Sequence, residues 1–133
     1  PPAYLYSAET QSVDEIEIRN LPLGGLDNEQ FELVEKSFNK GDILVLLSDG
    51  LPEAPDLEGN LLDYQPVMDC IEKTAHLGAA QVKQALIDLA DAWLDGSKNP
   101  DDITFIVFEK QPDEDKKAQK ELEEKDYKKV AQA

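Results

Sequence analysis

ILVLLSDGLPEA, residues 43–54, is the stretch on which the fold turns: five consecutive apolar residues stop at once in Ser48-Asp49-Gly50. Asp-Gly is a common turn signal, so the dipeptide reads first as a strand reversing direction. The same residues can instead present a carboxylate at the rim of a sheet. The rest of the chain weighs these readings. Residues 43–47 and 103–108 (ITFIVF) are apolar at successive positions, which predicts two core strands covered on both faces. If they are antiparallel neighbours, Asp49 just past the end of one and Asp101 and Asp102 just before the start of the other meet at one sheet edge. Rigidly mounted carboxylates of this kind suit a hard divalent cation such as Mg²⁺ or Mn²⁺. Spacing alone leaves open the duller reading, in which Asp101 and Asp102 are loop acids following Pro100.

Outward from these strands, AYLYSA (3–8) and VDEIEIR (13–19) carry the alternation of half-exposed strands. LPLGGL interrupts the pattern, Phe31 and Leu33 resume it in QFELVEKSF, and NKGD supplies turn chemistry before residue 43. Between the two apolar strands the period changes to that of helices. Val67, Cys70, Ile71 and Ala75 form one stripe, and Val82, Leu86, Leu89, Ala90 and Trp93 a longer one over about 79–94. LDGSKNPDD then stops the second helix with Gly and Pro. His76, between the stripes, reads as a helix-end or surface residue, and Trp93 as core. DLEGNLLD lacks the oxygen spacing of an EF-hand. The expected fold class is α+β, with antiparallel central strands and packed helices.

The 133 residues suit one domain, and no apolar run approaches the roughly 20 residues of a membrane span. No basic-then-apolar leader opens the chain, so the expectation is a soluble, cytoplasmic protein without direct membrane contact. Cys70 is the single cysteine, which excludes an internal disulfide and a cysteine-based structural zinc site. The formal net charge is −16. Residues 111–133 hold 7 acids and 6 bases, leaving 22 acids against 7 bases in residues 1–110. A field of that sign repels nucleic acid and attracts divalent cations, although most of these acids simply solvate a surface. The expected division is therefore 1–110 as the folded unit and 111–133 as a charged tail, loosely helical or disordered.

KGDILVLLSDGLPEA followed some fifty residues later by NPDDITFIVFEK resembles the metal-dependent serine/threonine protein phosphatases, the type 2C superfamily, in their bacterial SpoIIE-like branch. PPAYLY looks like the end of that family's Gly-His-x-Pro-Pro segment, and LPLGGL like its Pro-Leu-Gly turn. The resemblance covers residues 1 to about 110. It implies part of a β-sandwich flanked by helices, and a binuclear Mg²⁺ or Mn²⁺ centre that activates a water against phosphoserine or phosphothreonine of a protein. By resemblance Asp49 and Asp101 are metal ligands with a catalytic role, and Asp102 an assisting polar residue of the metal site. The implied partner is a phosphoprotein substrate, in this branch often an anti-sigma-factor antagonist.

Two departures qualify what the resemblance carries over. The family's early Asp-x-Ser-Gly-His-Gly-type segment, which supplies a bridging Asp, does not occur, so the chain corresponds to roughly the C-terminal half of the domain. It opens PPAYLY, and its one methionine is Met68. Where relatives often read Phe-Gly-Tyr-Glu-Arg, this chain has LLDYQPV, with Asp63 and Gln65 in place of Gly and Arg. The isolated chain is accordingly expected to be inactive, to bind metal weakly, and to leave sheet edges exposed for self-association or a completing partner. The alternative reading is a non-catalytic regulatory or protein-interaction module on a phosphatase scaffold.

Overall fold

The structure, a computed structural model, describes residues 1–18 and 30–111. The LPLGGL turn and residues 112–133 of the charged tail lie outside the described residues. Among the described residues four strands form one antiparallel sheet: β1 (Ala3–Ser7), β2 (Ser12–Ile16), β3 (Ile43–Leu47) and β4 (Phe105–Glu109), in the order β2-β1-β3-β4. The expected antiparallel pairing of residues 43–47 with the last strand is present, in the register Ile43 opposite Glu109 and Leu47 opposite Phe105. The α+β class follows from this sheet and two helices, α1 (Tyr64–Thr74) and α2 (Ala79–Leu94), joined by one 3-10 turn at Ala75–Leu77. His76 is exposed in that turn.

The period-2 geometry of strands sorts their side chains onto two faces. Tyr4, Tyr6, Ile43, Val45 and Leu47 share one face and are buried with Val67, Ile71, Ala75, Val82, Leu86 and Ala90 from the helical segments. Phe105, Val107, Leu89, Cys70 and Trp93 pack partly buried against this cluster. The helical stripes legible in the sequence thus face inward. Glu109 fixes the start of α2, its carboxylate accepting the Ala79 N–H at 3.0 Å. Asp42, buried at the start of β3, accepts the N–H groups of Ala8 at 2.9 Å and Asn39 at 2.7 Å, tying the NKGD turn to the end of β1.

The opposite face corrects an expectation. Rather than being covered on both sides, the sheet presents two apolar rows, Ile16–Ala3–Leu46–Ile106 and Leu5–Leu44–Phe108, on the side away from the helices. Leu46, Ile106 and Phe108 are exposed. Two-sided apolarity belongs to a strand whose second layer is not supplied by the described residues. β4 is also the end strand in the order, so only β3 of the expected pair is internal. Phe31 and Leu33 do not extend a strand. Residues 30–39 are irregular, with Leu33 82% exposed, and Lys36 there pairs with Asp14 of β2 at 2.6 Å. The segment thus lies beside the edge strand β2 without extending the sheet's ladder.

Candidate metal centre

Antiparallel pairing of β3 with β4 sets the site, because it brings the end of one strand to the start of the other. The ladder continues past the strands: the Ser48 N–H bonds the Thr104 carbonyl at 2.8 Å, and the Thr104 N–H bonds Ser48 Oγ at 3.1 Å. Ser48 Oγ also donates to the Asp102 carbonyl at 3.3 Å. Asp49 therefore leaves β3 beside the segment that carries Asp101 and Asp102. All three acids are exposed.

The opening dipeptide is explained by proximity. Gly50 does not adopt the positive φ of a two-residue hairpin turn; the chain reverses in a helical turn, with the Glu53 N–H bonding the Asp49 carbonyl at 2.9 Å. Glycine is needed because a Cβ at position 50 would lie 2.2 Å from the Asp102 carbonyl oxygen. Asp-Gly here both turns the chain and allows the two acid-bearing segments to touch.

Other ties hold the 49–55 loop. Asn99 Nδ2 donates to the Gly50 carbonyl at 3.1 Å, Trp93 Nε1 to the Ala54 carbonyl at 2.9 Å, and Ser97 Oγ to the Pro55 carbonyl at 2.6 Å. Sequence reasoning read Trp93 as core; it is half-buried, and its indole N–H anchors the acid loop. DLEGNLLD is a closed turn in which Asp56 accepts the N–H groups of Glu58 and Asn60 and the Asn60 amide. The Asn60 amide, as the foremost cause, holds the Asp56 carboxyl below its usual range.

The loop also fixes the start of α1, since the Asp63 N–H bonds the Pro52 carbonyl at 2.7 Å. Asp63 stands where the resembling sequences often have glycine, and its backbone has φ 72 and ψ 166. That conformation is essentially restricted to glycine, at a cost of order 1–3 kcal/mol for other residues. Asp63 compensates in part by accepting the Tyr64 N–H at 2.7 Å. Burial, then Glu53 and Asp49, raise the Tyr64 phenol above its ordinary pKa, which places that ring in the field of the candidate site. Tyr4 lies deeper: burial first, then Glu15, push its phenol upward, and its hydroxyl is buried without a partner. The nearness of Tyr64 to Asp49 was not legible in the sequence, because the spacing of LLDYQPV carries no record of how α1 is packed.

As potential cation ligands, Asp49, Asp101 and Asp102 offer hard oxygen donors of the right chemistry. Asp101 Oδ1 already accepts the Asp102 N–H at 2.8 Å. Among the described residues no group of three or more His, Cys, Asp or Glu side chains converges closely enough to hold an ion. The donors fit part of a ligand set, and the arrangement does not close a site by itself.

Solved structures that share this fold include phosphatase domains. The SiaA PP2C domain of Pseudomonas aeruginosa aligns with a TM-score of 0.63 at 18% identity, over 81% of this chain and 42% of that one. The SpoIIE phosphatase domain of Bacillus subtilis, in a crystal form without domain swapping, aligns with a TM-score of 0.60 at 20% identity, over 86% of this chain and 48% of that one. A manganese-presoaked form of the same domain gives 0.55 at 16% identity, over 87% and 49%. The chain thus spans less than half the length of each of these. No curated protein sequence matches it. The sequence profile of the family described as "Stage II sporulation protein E (SpoIIE)" matches residues 1–111. With the profile covering most of the chain, the chain belongs to the SpoIIE family, and its fold is the one found in part of these PP2C-type phosphatase domains.

Proposed function

We propose that this chain is the C-terminal part of a metal-dependent phosphatase domain that removes phosphate from phosphoserine or phosphothreonine of a protein. The observation that carries the reading is the juxtaposition of the Asp49 loop and the Asp101-Asp102 segment, with no room for a side chain at Gly50. Asp49 and Asp101 are the proposed cation ligands, and Asp102 assists. The cation is Mg²⁺ or Mn²⁺, two ions in the complete site, and the manganese presoak of a related domain agrees with this choice. When bound, such ions lower the pKa of water and stabilise charge on a phosphoryl group in in-line displacement. This chain's own contribution is to hold two carboxylates on the rigid end of β3 and β4. The proposed partner is a phosphoprotein, of the anti-sigma-factor-antagonist class, and the proposed setting is the cytoplasm. Among the described residues no helix is long and apolar enough to cross a membrane.

The second reading, a non-catalytic interaction module, draws on the lack of a convergent three-acid group among the described residues. Asp49→Asn in a complete phosphatase domain containing this chain separates the two. The first reading expects hydrolysis of a phosphoserine protein with Mn²⁺ to fall by orders of magnitude while the melting temperature is kept or rises. Full activity of the variant at ordinary metal concentration removes Asp49 from the site.

A further inference from the structure

The end of the sheet away from Asp49 and Asp101 holds an open cavity of about 320 Å³, where β1 and β4 end, β3 begins and the 3-10 turn meets α2. Tyr6, Gln11, Gly41, His76, Gly78 and Glu109 are among its lining residues. That volume is at the small end of ligand pockets and suits a single side chain.

Charge decides what the cavity takes. A helix N-terminus ordinarily attracts an anion, but the first N–H of α2 is already met by Glu109, whose Oε2 accepts from Ala79 at 3.0 Å. Its other oxygen, Oε1, takes part in no hydrogen bond among the described residues. Gly78 leaves this carboxylate uncovered, since a Cβ there would stand 3.4 Å from Oε2 and 3.8 Å from Oε1. With 22 acids against 7 bases in residues 1–110, the surrounding field favours a cation as well. One free carboxylate oxygen cannot grip the fork of a guanidinium, which is held best by two. An ammonium has three N–H donors and no acceptor. Glu109 Oε1, the Gln11 amide oxygen and the His76 ring are acceptors that line the same cavity.

We propose that this cavity is a binding site for the ammonium group of a lysine side chain, held by Glu109 with Gln11 and His76. One source of that group is the chain itself: Lys116, Lys117, Lys120, Lys125, Lys128 and Lys129 all follow β4 in the sequence. Lys116 comes seven residues after Glu109, close enough to fold back at about 3.3–3.6 Å of chain per residue. Covalent linkage holds such a group at an effective concentration in the millimolar range. The other source is a lysine of another protein. The site is independent of the metal-centre reading.

The test is an NMR titration of the full chain with Nα-acetyl-lysine amide, and with Nα-acetyl-norleucine amide as a control that has no ammonium. It is run on wild type, on a variant carrying Lys→Gln at all six of those positions, and on that variant with Glu109→Gln, whose amide oxygen still accepts the Ala79 N–H. The six-lysine variant should show saturable shifts of the Gln11, His76, Gly78 and Ala79 amides with the lysine probe and none with norleucine. Glu109→Gln should weaken that binding about fivefold. Weaker probe binding by wild type than by the six-lysine variant supports the site with the chain's own lysines as its source, and equal binding supports it with a lysine of another protein. Absence of saturable shifts in the six-lysine variant, equal shifts from norleucine, or unchanged affinity after Glu109→Gln overturns the proposal. The comparison of probe with control is made on one protein, so it stands even where Glu109→Gln disturbs α2.

Discussion

A methyl group on Gly50 would meet the Asp102 carbonyl oxygen at 2.2 Å and its carbon at 2.9 Å, both backbone atoms that cannot swing aside. Gly50→Ala must therefore push the Asp49 and Asp101-Asp102 segments apart. The expected cost is about 1–3 kcal/mol or more, read as a lowered melting temperature. Its signature is locality: amide exchange should quicken at residues 48–54 and 101–104 before it does in the helices. The tyrosines give a pH dependence of known sign. Tyr4 and Tyr64 have phenols raised above their ordinary value, chiefly by burial. The folded state thus holds its protons where the unfolded chain, with tyrosines near a pKa of about 10, releases them. The associated stability is present below pH about 10 and is lost as pH rises beyond it. Tyr4→Phe should flatten this alkaline loss, and it should not destabilise at neutral pH, because the hydroxyl it removes is buried and unpaired. A Tyr4→Phe chain that melts in alkali like the parent would assign the effect elsewhere.

At the scale of elements, α2 is the clearest case of sequence dictating packing. Val82, Leu86 and Ala90 recur at helical spacing and are buried, whereas Lys83 and Gln84 are exposed. Leu86→Ala should cost roughly 2–5 kcal/mol. Lys83→Ala should change stability by less than about 0.5 kcal/mol. Chemical denaturation of both variants checks the assignment, and equal losses would mean that the wrong face has been placed inward. Strands β1, β3 and β4 were legible for the same reason, since apolar runs bounded by turn residues leave few alternatives. What sequence could not supply was anything decided between elements. Residues 30–39 stay irregular beside the edge strand β2, and Phe31 and Leu33 carry no mark of that. The apolar residues Leu46, Ile106 and Phe108 announced a second packing layer without saying which residues provide it. Asp49, Asp101 and Asp102 were named as candidate ligands from motif wording, but the Asn99, Ser97 and Trp93 ties that hold the acid loop depend on how α2 delivers the chain to β4, which no local pattern encodes.

For the whole molecule, three features point the same way. The sheet shows two rows of apolar side chains on the face away from α1 and α2, the chain spans less than half of each of the related domains compared, and no three acids converge among the described residues. Each fits a fold whose second layer and remaining ligands come from outside the described residues. The charge adds a constraint, because residues 1–110 carry 22 acids against 7 bases. Like-charged copies repel at low ionic strength, so any self-association through the apolar rows should strengthen as salt is added. The central claim is that these residues contribute an incomplete but necessary part of a metal-dependent phosphatase site. Its most direct test is Mn²⁺-dependent release of phosphate from a phosphoserine protein, measured for this chain alone, for a complete domain containing it, and for that domain with Asp101→Ala. The account predicts no turnover by the chain alone, turnover by the complete domain, and its loss in Asp101→Ala with the fold retained. Turnover by the purified chain alone, or a complete domain that is inactive with Mn²⁺ and Mg²⁺, would contradict it.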